Sequence, residues 1–249
     1  MTRRLIFSRG VLVRAKSRLF MPVALALSAV FLVWLGQATD VDLDIARLSY
    51  DASRAHFPLR DTWFTRQFFH AYMKLFVVTI AVAFFACAWI DFWRPEKYWT
   101  RENGWRIRTV VLCSIFVPAT ISLLKQMSRL HCPWDIAMFG GVEPYFRLLD
   151  LIPPGTSPGK CFPAGHASGG LWLASLMMFW LPGKPRVAWP VGVGLLSVGV
   201  AMGIVQQMRG AHFTTHTLWS TWIAIAIIYA AYSMLRLAEK RLSTSKGGI

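Results

Sequence analysis

The chain has 249 residues, of which 55% are hydrophobic and only 16% charged, with 12 Trp and 17 Phe. That balance excludes an ordinary soluble core and points to an integral membrane protein of one domain, 1–249. The net charge is +15, from 27 Lys and Arg against 12 Asp and Glu. The basic residues flank apolar segments and no nucleic-acid motif accompanies them, so membrane orientation accounts for them and nucleic acid is not an expected partner.

The amino-terminal run MTRRLIFSRGVLVRAKSR is strongly basic, and Phe20 to Trp34 is almost wholly apolar. An uncleaved first span is expected there; a signal peptide cut near Ala38 is the competing reading. Thr39 to His70 is a polar interlude holding Asp40, Asp42, Asp44, Asp51 and Asp61. These read as solvated loop aspartates, with a metal-ligand set as the alternative. Within it, TWFTRQFFHAYMK mixes aromatic and basic residues, which suits a helix lying at the interface before the chain turns inward.

Tyr72 to Trp93 is the second expected span. WRPEKYWTRENGWRIR follows as a basic connection with an aromatic belt, and Thr109 to Leu124, with a kink at Pro118, is the third. Leu130 to Lys160 is rich in Gly and Pro, which opposes a single helix. Cys132 and Cys161 bracket it on the side expected to be oxidising, so a disulfide between them is expected, with two free thiols as the alternative. Ala167 to Leu181, Trp189 to Gln207 and Thr217 to Leu235 complete six spans, and a basic tail follows. Six spans with both termini in the cytoplasm satisfy every large charge bias. The expected class is therefore all-α and polytopic. Gly169 and Gly170 suggest close helix packing.

Three polar clusters stand at span ends: KQMSRLHCPW from Lys125, CFPAGH from Cys161 to His166, and RGAHFTTH from Arg209 to His216. The six-span topology puts all three on one side of the membrane. Lys and Arg neutralise phosphoryl oxygens, and the start of a helix after PAGH adds N–H donors. A neutral imidazole can attack phosphorus in line, and a second can protonate the departing oxygen and then activate water. The i,i+4 spacing of His212 and His216 also suits a metal, but no clear carboxylate or cysteine partner accompanies it. Interface histidines without chemistry are the third reading.

With these clusters the chain resembles the type 2 phosphatidic acid phosphatase superfamily of membrane enzymes. Its pattern is Lys, six residues, Arg-Pro; Pro-Ser-Gly-His; and Ser-Arg, five residues, His, three residues, Asp. The resemblance is best marked over residues 72–235. Lys125 and Pro133 match the first motif, but Cys132 replaces its Arg, and Arg129 stands one turn earlier as a substitute. Pro163, Gly165 and His166 match the second, with Ala164 in place of Ser. Anchoring the third on GAHFTTH makes His212 the nucleophile, puts His216 where the family has Asp, and Val205-Gln206 where it has Ser-Arg. Anchoring on Arg209 instead requires a histidine at position 215, which is Thr215.

By this resemblance His212 is the expected nucleophile and His166 the general acid and base. Lys125, Arg209 and Arg129, with Gly165 at the helix start, would bind the phosphate. His216 would orient His212, though a neutral histidine stabilises imidazolium less than a carboxylate does. The implied activity is hydrolysis of a phosphate monoester or pyrophosphate on a membrane lipid, without a cofactor or metal, at a bacterial inner membrane with the site towards the periplasm. Phosphatidic acid, phosphatidylglycerol phosphate, undecaprenyl pyrophosphate and lipid A phosphate all suit it as substrates. A lipid phosphotransferase and a noncatalytic transporter or interaction protein are the alternatives, and no protein partner is indicated.

Overall fold

The computed structural model describes the backbone of residues 2–246 and the side chains of residues 19–239 except residue 70. The basic amino-terminal side chains, the end of the basic tail and His70 lie outside those described. Among the described residues seven α-helices run in order: α1 (Thr2–Ala38), α2 (Val41–Arg47), α3 (Met73–Trp93), α4 (Arg101–Met127), α5 (Gly165–Leu171), α6 (Pro185–Met208) and α7 (Thr214–Lys246). The protein is an all-α, multi-pass membrane protein. Five helical segments among the described residues are long and apolar enough to cross a bilayer: Leu19–Ala38, Phe64–Trp93, Arg101–Met127, Pro185–Met208 and Thr214–Glu239.

Three expectations change. First, the expected interfacial helix is not separate. A π-helical stretch, Phe64–Tyr72, runs straight into α3, giving one helical segment of 30 residues. Second, the basic connection between α3 and α4 is mostly helix. The Thr100 hydroxyl caps α4 by accepting from the Asn103 N–H at 3.3 Å, and the helix starts at Arg101 rather than near Thr109. Arg108 pairs with the buried Asp91 at 2.6 Å, which fastens α4 to α3 at the end away from the histidines. Third, the expected fourth span is short. Seven residues of α5 pass directly into eight 3-10 residues, Trp172–Phe179.

This short segment is the centre of the bundle. Ala167, Leu171, Trp172, Leu173 and Met178 are buried against Val77 of α3, Val110, Val117 and Ile121 of α4, and Ala224 and Ile228 of α7. Against α6 the approach is closer still. A methyl group on Gly170 would lie 2.8 Å from the Gly199 Cα, and one on Gly199 would lie 2.5 Å from the Leu171 nitrogen. In lipid, where apolar burial does little to hold helices together, such small-residue contact is a main source of packing energy.

A second apolar cluster sits at the histidine end. Leu43 and Ala46 of α2, Phe57, Ile136, Phe139 and Phe213 are buried together, with Tyr50, Trp134 and Tyr145 packed around them. It joins the polar interlude after α1 to the long loop after α4 and to the α6–α7 corner. Asp42 corrects the sequence reading of a solvated loop. It is 6% exposed, and its carboxylate accepts from the Thr215 N–H at 2.8 Å and the Thr215 hydroxyl at 2.5 Å. A residue of α2 thus caps the first turn of α7.

Gly199→Ala drives a methyl into the α5 backbone and is expected to cost about 2 kcal/mol or more. Gly194→Ala, where nothing lies within 4 Å, is expected to be neutral or slightly stabilising. Thermal unfolding of the two variants in one detergent checks the contrast.

Candidate active site

The loop after α4 folds back on itself to bring α4 and α5 together. The N–H groups of Gly159, Lys160 and Cys161 donate to the carbonyls of Arg129, Ser128 and Leu130 at 3.3, 3.0 and 3.0 Å. Cys132 and Cys161 are joined in a disulfide with their Cα atoms 5.3 Å apart. Lys125 and the PAGH segment therefore meet although 40 residues of sequence lie roughly between them. The same loop is stitched to the α6–α7 corner. Trp134 N–H donates to the Gly210 carbonyl at 3.0 Å, Ala164 N–H to the His216 carbonyl at 3.2 Å, and Ser220 Oγ to the Ala164 carbonyl at 3.0 Å.

The corner itself is set by Gly210, whose φ of +73° is the left-handed conformation glycine favours after a helix. Its N–H and that of Ala211 donate to Gln207 and Gln206 carbonyls, both at 2.9 Å. The turn carries His212 into the protein, where it is 3% exposed. His212 Nδ1 lies 3.5 Å from the Cys161 sulfur. That sulfur, bonded to Cys132, has no proton to give, so its 3.2 Å approach to the Ala211 carbonyl is packing rather than a hydrogen bond. The His212 and His216 rings pack edge to face, with centroids 5.9 Å apart.

Burial pushes His212 well below the ordinary histidine pKa. Positive charge on His216, Lys125 and His166 pushes the same way, and a hydrogen bond to the Cys161 backbone opposes them. Lys125 of α4, His166 of α5 and His216 of α7 are thus close enough for their charge to be felt at His212, and His216 alone of the three is in ring contact with it. Lys125 also lies against Gly165: a methyl on that glycine would sit 3.4 Å from Lys125 Cδ and 3.8 Å from Nζ. His166 is half-buried in the first turn of α5.

Arg209 is 8% exposed at the end of α6. Its Nε donates to the Arg60 carbonyl at 2.8 Å and its Nη1 to Gln206 Oε1 at 3.1 Å. Burial lowers its pKa from the ordinary value, Asp61 opposes that, and Arg66 and Arg60 add to it. Arg129 is exposed, and its Nη2 donates to the Pro153 and Thr156 carbonyls at 3.1 and 3.3 Å. It is therefore a strut of the long loop. Cys132, Cys161 and His212 bring their sulfurs and ring nitrogen within 4.8 Å of one another. Sulfurs already joined to each other offer no thiolate, so this trio is not a metal-ligand set.

Asp42 and Gln206 are the site's neighbours that motif reading missed. Both are buried, and both act through hydrogen bonds, Asp42 across 173 residues of sequence. Gln206 stands where the third motif has its arginine, and that alignment is the signal the sequence offers.

A family model described as the PAP2 superfamily matches residues 71–240. No curated protein matches the chain, and no solved structure matches it.

The depressed pKa of His212 has a consequence for stability. An ordinary histidine, as in the unfolded chain, takes up its proton near pH 6.5, whereas buried His212 resists protonation until well below that. The unfolded state then binds more protons, so stability is full above about pH 6.5 and falls as the pH drops towards the folded-state value. The slope is at most about 1.4 kcal/mol per pH unit for one group. Melting temperatures in detergent between pH 7.5 and 5.5 are expected to fall more steeply for the parent than for His212→Gln.

Proposed function

Because the chain belongs to the PAP2 superfamily over residues 71–240, we propose that it hydrolyses a phosphate monoester or pyrophosphate on a membrane lipid through a phosphohistidine on His212. The observation that carries this reading is the gathering of Lys125, His166 and His216 around a buried, neutral His212 at one end of a membrane-embedded bundle. A desolvated neutral imidazole is a ready nucleophile, whereas a protonated one has no lone pair to attack with.

In the proposed reaction Nδ1 of His212 stays turned to Cys161 and carries the proton. Nε2 then has the free lone pair and attacks phosphorus in line. The phosphorus–oxygen bond to the lipid breaks as the His212 phosphorus–nitrogen bond forms. Protonated His166 gives its proton to the departing oxygen, which leaves as a lipid alcohol or, from a pyrophosphate, as a lipid monophosphate. His166, now neutral, takes a proton from water; the hydroxide attacks phosphorus, inorganic phosphate leaves, and neutral His212 returns. Lys125 and Arg209 offset the charge on the equatorial oxygens, and the Gly165 N–H adds a donor. Arg129 joins this clamp in the proposal only if it leaves its loop carbonyls. No step uses a metal or a cofactor.

The exposed apolar flanks of the long helices suit a substrate that approaches through the bilayer, such as phosphatidic acid, phosphatidylglycerol phosphate, a polyprenyl pyrophosphate or a lipid A phosphate. In this reading α5 with its 3-10 continuation is a sixth, short crossing. The protein then sits in a bacterial inner membrane with the site towards the periplasm and both termini in the cytoplasm.

Purified protein is expected to release inorganic phosphate from at least one lipid of such a panel. Lys125→Ala and Arg209→Ala should each lose about 100-fold or more in kcat/KM, and Arg129→Ala far less if it remains a loop strut. Transfer of labelled phosphate to a second lipid in place of water would make the protein a transferase. Unchanged phosphate release by folded Lys125→Ala and Arg209→Ala would remove the clamp. In intact cells an impermeant thiol reagent should modify Gly155→Cys and spare Gly183→Cys; the reverse pattern would place the site on the other side.

A further inference from the structure

Beside His216 lies a small, partly open cavity lined by Asp42, Tyr145, Arg147, Phe162, Thr215 and His216 among others. About 10 Å³ of it is open to the centre of a water molecule, which is the lower limit for holding one. His216 is 3% exposed and its Nδ1 has no hydrogen-bond partner in the protein. A buried ring nitrogen is costly to leave unpaired, so such a group ordinarily has a water when a polar cavity adjoins it.

Across the cavity the Asp42 carboxylate uses two of its acceptor positions on the Thr215 N–H and hydroxyl. An ionised carboxylate has about four. Arg147, the nearest cation lining the cavity, is committed elsewhere: Nη2 pairs with Asp40 at 2.6 Å and Nη1 donates to the Gln37 carbonyl at 2.7 Å. Burial, and after it the charge of Asp42, pushes the Tyr145 hydroxyl pKa up. Tyrosine thus keeps a proton to donate.

We propose that Asp42, a residue outside the family-matching region, is a positioning residue for the histidine pair, acting on His216 Nδ1 through a single water that both hold in this cavity. The water donates one proton to His216 Nδ1 and one to the Asp42 carboxylate, and accepts from the Tyr145 hydroxyl. The arrangement gives His216 Nδ1, the Asp42 carboxylate and the Tyr145 hydroxyl a partner each. It fixes His216 as the neutral tautomer protonated at Nε2, and so holds the ring that packs edge to face on His212. The third family motif has His216 where a carboxylate is usual, and Asp42 brings a carboxylate back from a different helix, at one remove. The catalytic consequence rests on the phosphohistidine reading; the water bridge does not.

Two readouts separate these. The first needs no turnover. In protein labelled with ¹⁵N-histidine and held in detergent, the His216 Nδ1 resonance should shift in Asp42→Asn and again in Tyr145→Phe, which leaves the Thr215 cap intact. An unmoved His216 resonance in both folded variants overturns the proposal, whatever the activity. A moved one upholds the bridge even if none of the lipids tested is a substrate.

The second is kinetic, on a lipid the parent hydrolyses. Asp42→Asn should lower kcat at least 10-fold with little change in KM, and Tyr145→Phe should lower it about threefold. In a background of His216→Ala, Asp42→Asn should cost no further activity, because it acts through that ring. Losses that simply multiply in the double variant would show that Asp42 serves only as a helix cap, and would overturn the positioning role.

Discussion

The arrangement of this protein depends on Cys161. Its sulfur is bonded to Cys132 at the end of α4's return loop, its N–H holds Leu130, and its side chain packs on Ala211 and His212. Three stretches far apart in sequence thereby share one fixed point. By the chain-entropy account, closing a sequence separation of 29 residues contributes about 3–4 kcal/mol. The greater effect is local: without that point, the loop bearing the first cluster has few ties to the helix bearing the second. Cys132 stands where the family has an arginine, so this chain has a covalent tie at a position usually given to charge.

The constraint makes the departures from the family pattern intelligible together. With Cys132 at the motif's arginine position, Lys125 and Arg209 are the half-buried and buried cations of the motif clusters, and Arg129 is turned to loop carbonyls. A carboxylate lost at His216 leaves His212 facing Cys161 and a second ring. Burial then becomes the dominant influence on His212, the proposed nucleophile. It keeps the imidazole neutral, which favours attack, and it removes the counter-charge that would stabilise imidazolium, which makes the surrounding hydrogen bonds matter more.

Much of this was legible in the sequence. Apolar length located the five long helices, because a bilayer demands about 20 apolar residues per crossing. Boundary clusters and their order singled out Lys125, His166 and His212 as candidates, and two cysteines flanking one loop located the disulfide. The shortness of α5 was not legible: its apolar run continues past Leu171, and only packing against Gly199 shows how closely it is embedded. The interfacial segment before α3 was misread because a mixed aromatic and basic face looks the same whether the helix bends or continues. Asp42 was hidden because one of five aspartates in a polar stretch has nothing to distinguish it until Thr215, far along the chain, comes to meet it.

The proposed reaction requires a covalent bond between phosphorus and one particular nitrogen, on His212. Rapid mixing with a turned-over lipid, a quench that avoids acid, and peptide mass spectrometry test it directly. The account predicts phosphate on the peptide containing His212, absent from His212→Gln and accumulating in His166→Ala if hydrolysis slows more than attack. Phosphate on His216 instead, with His212→Ala turning over at the parental rate, would contradict it.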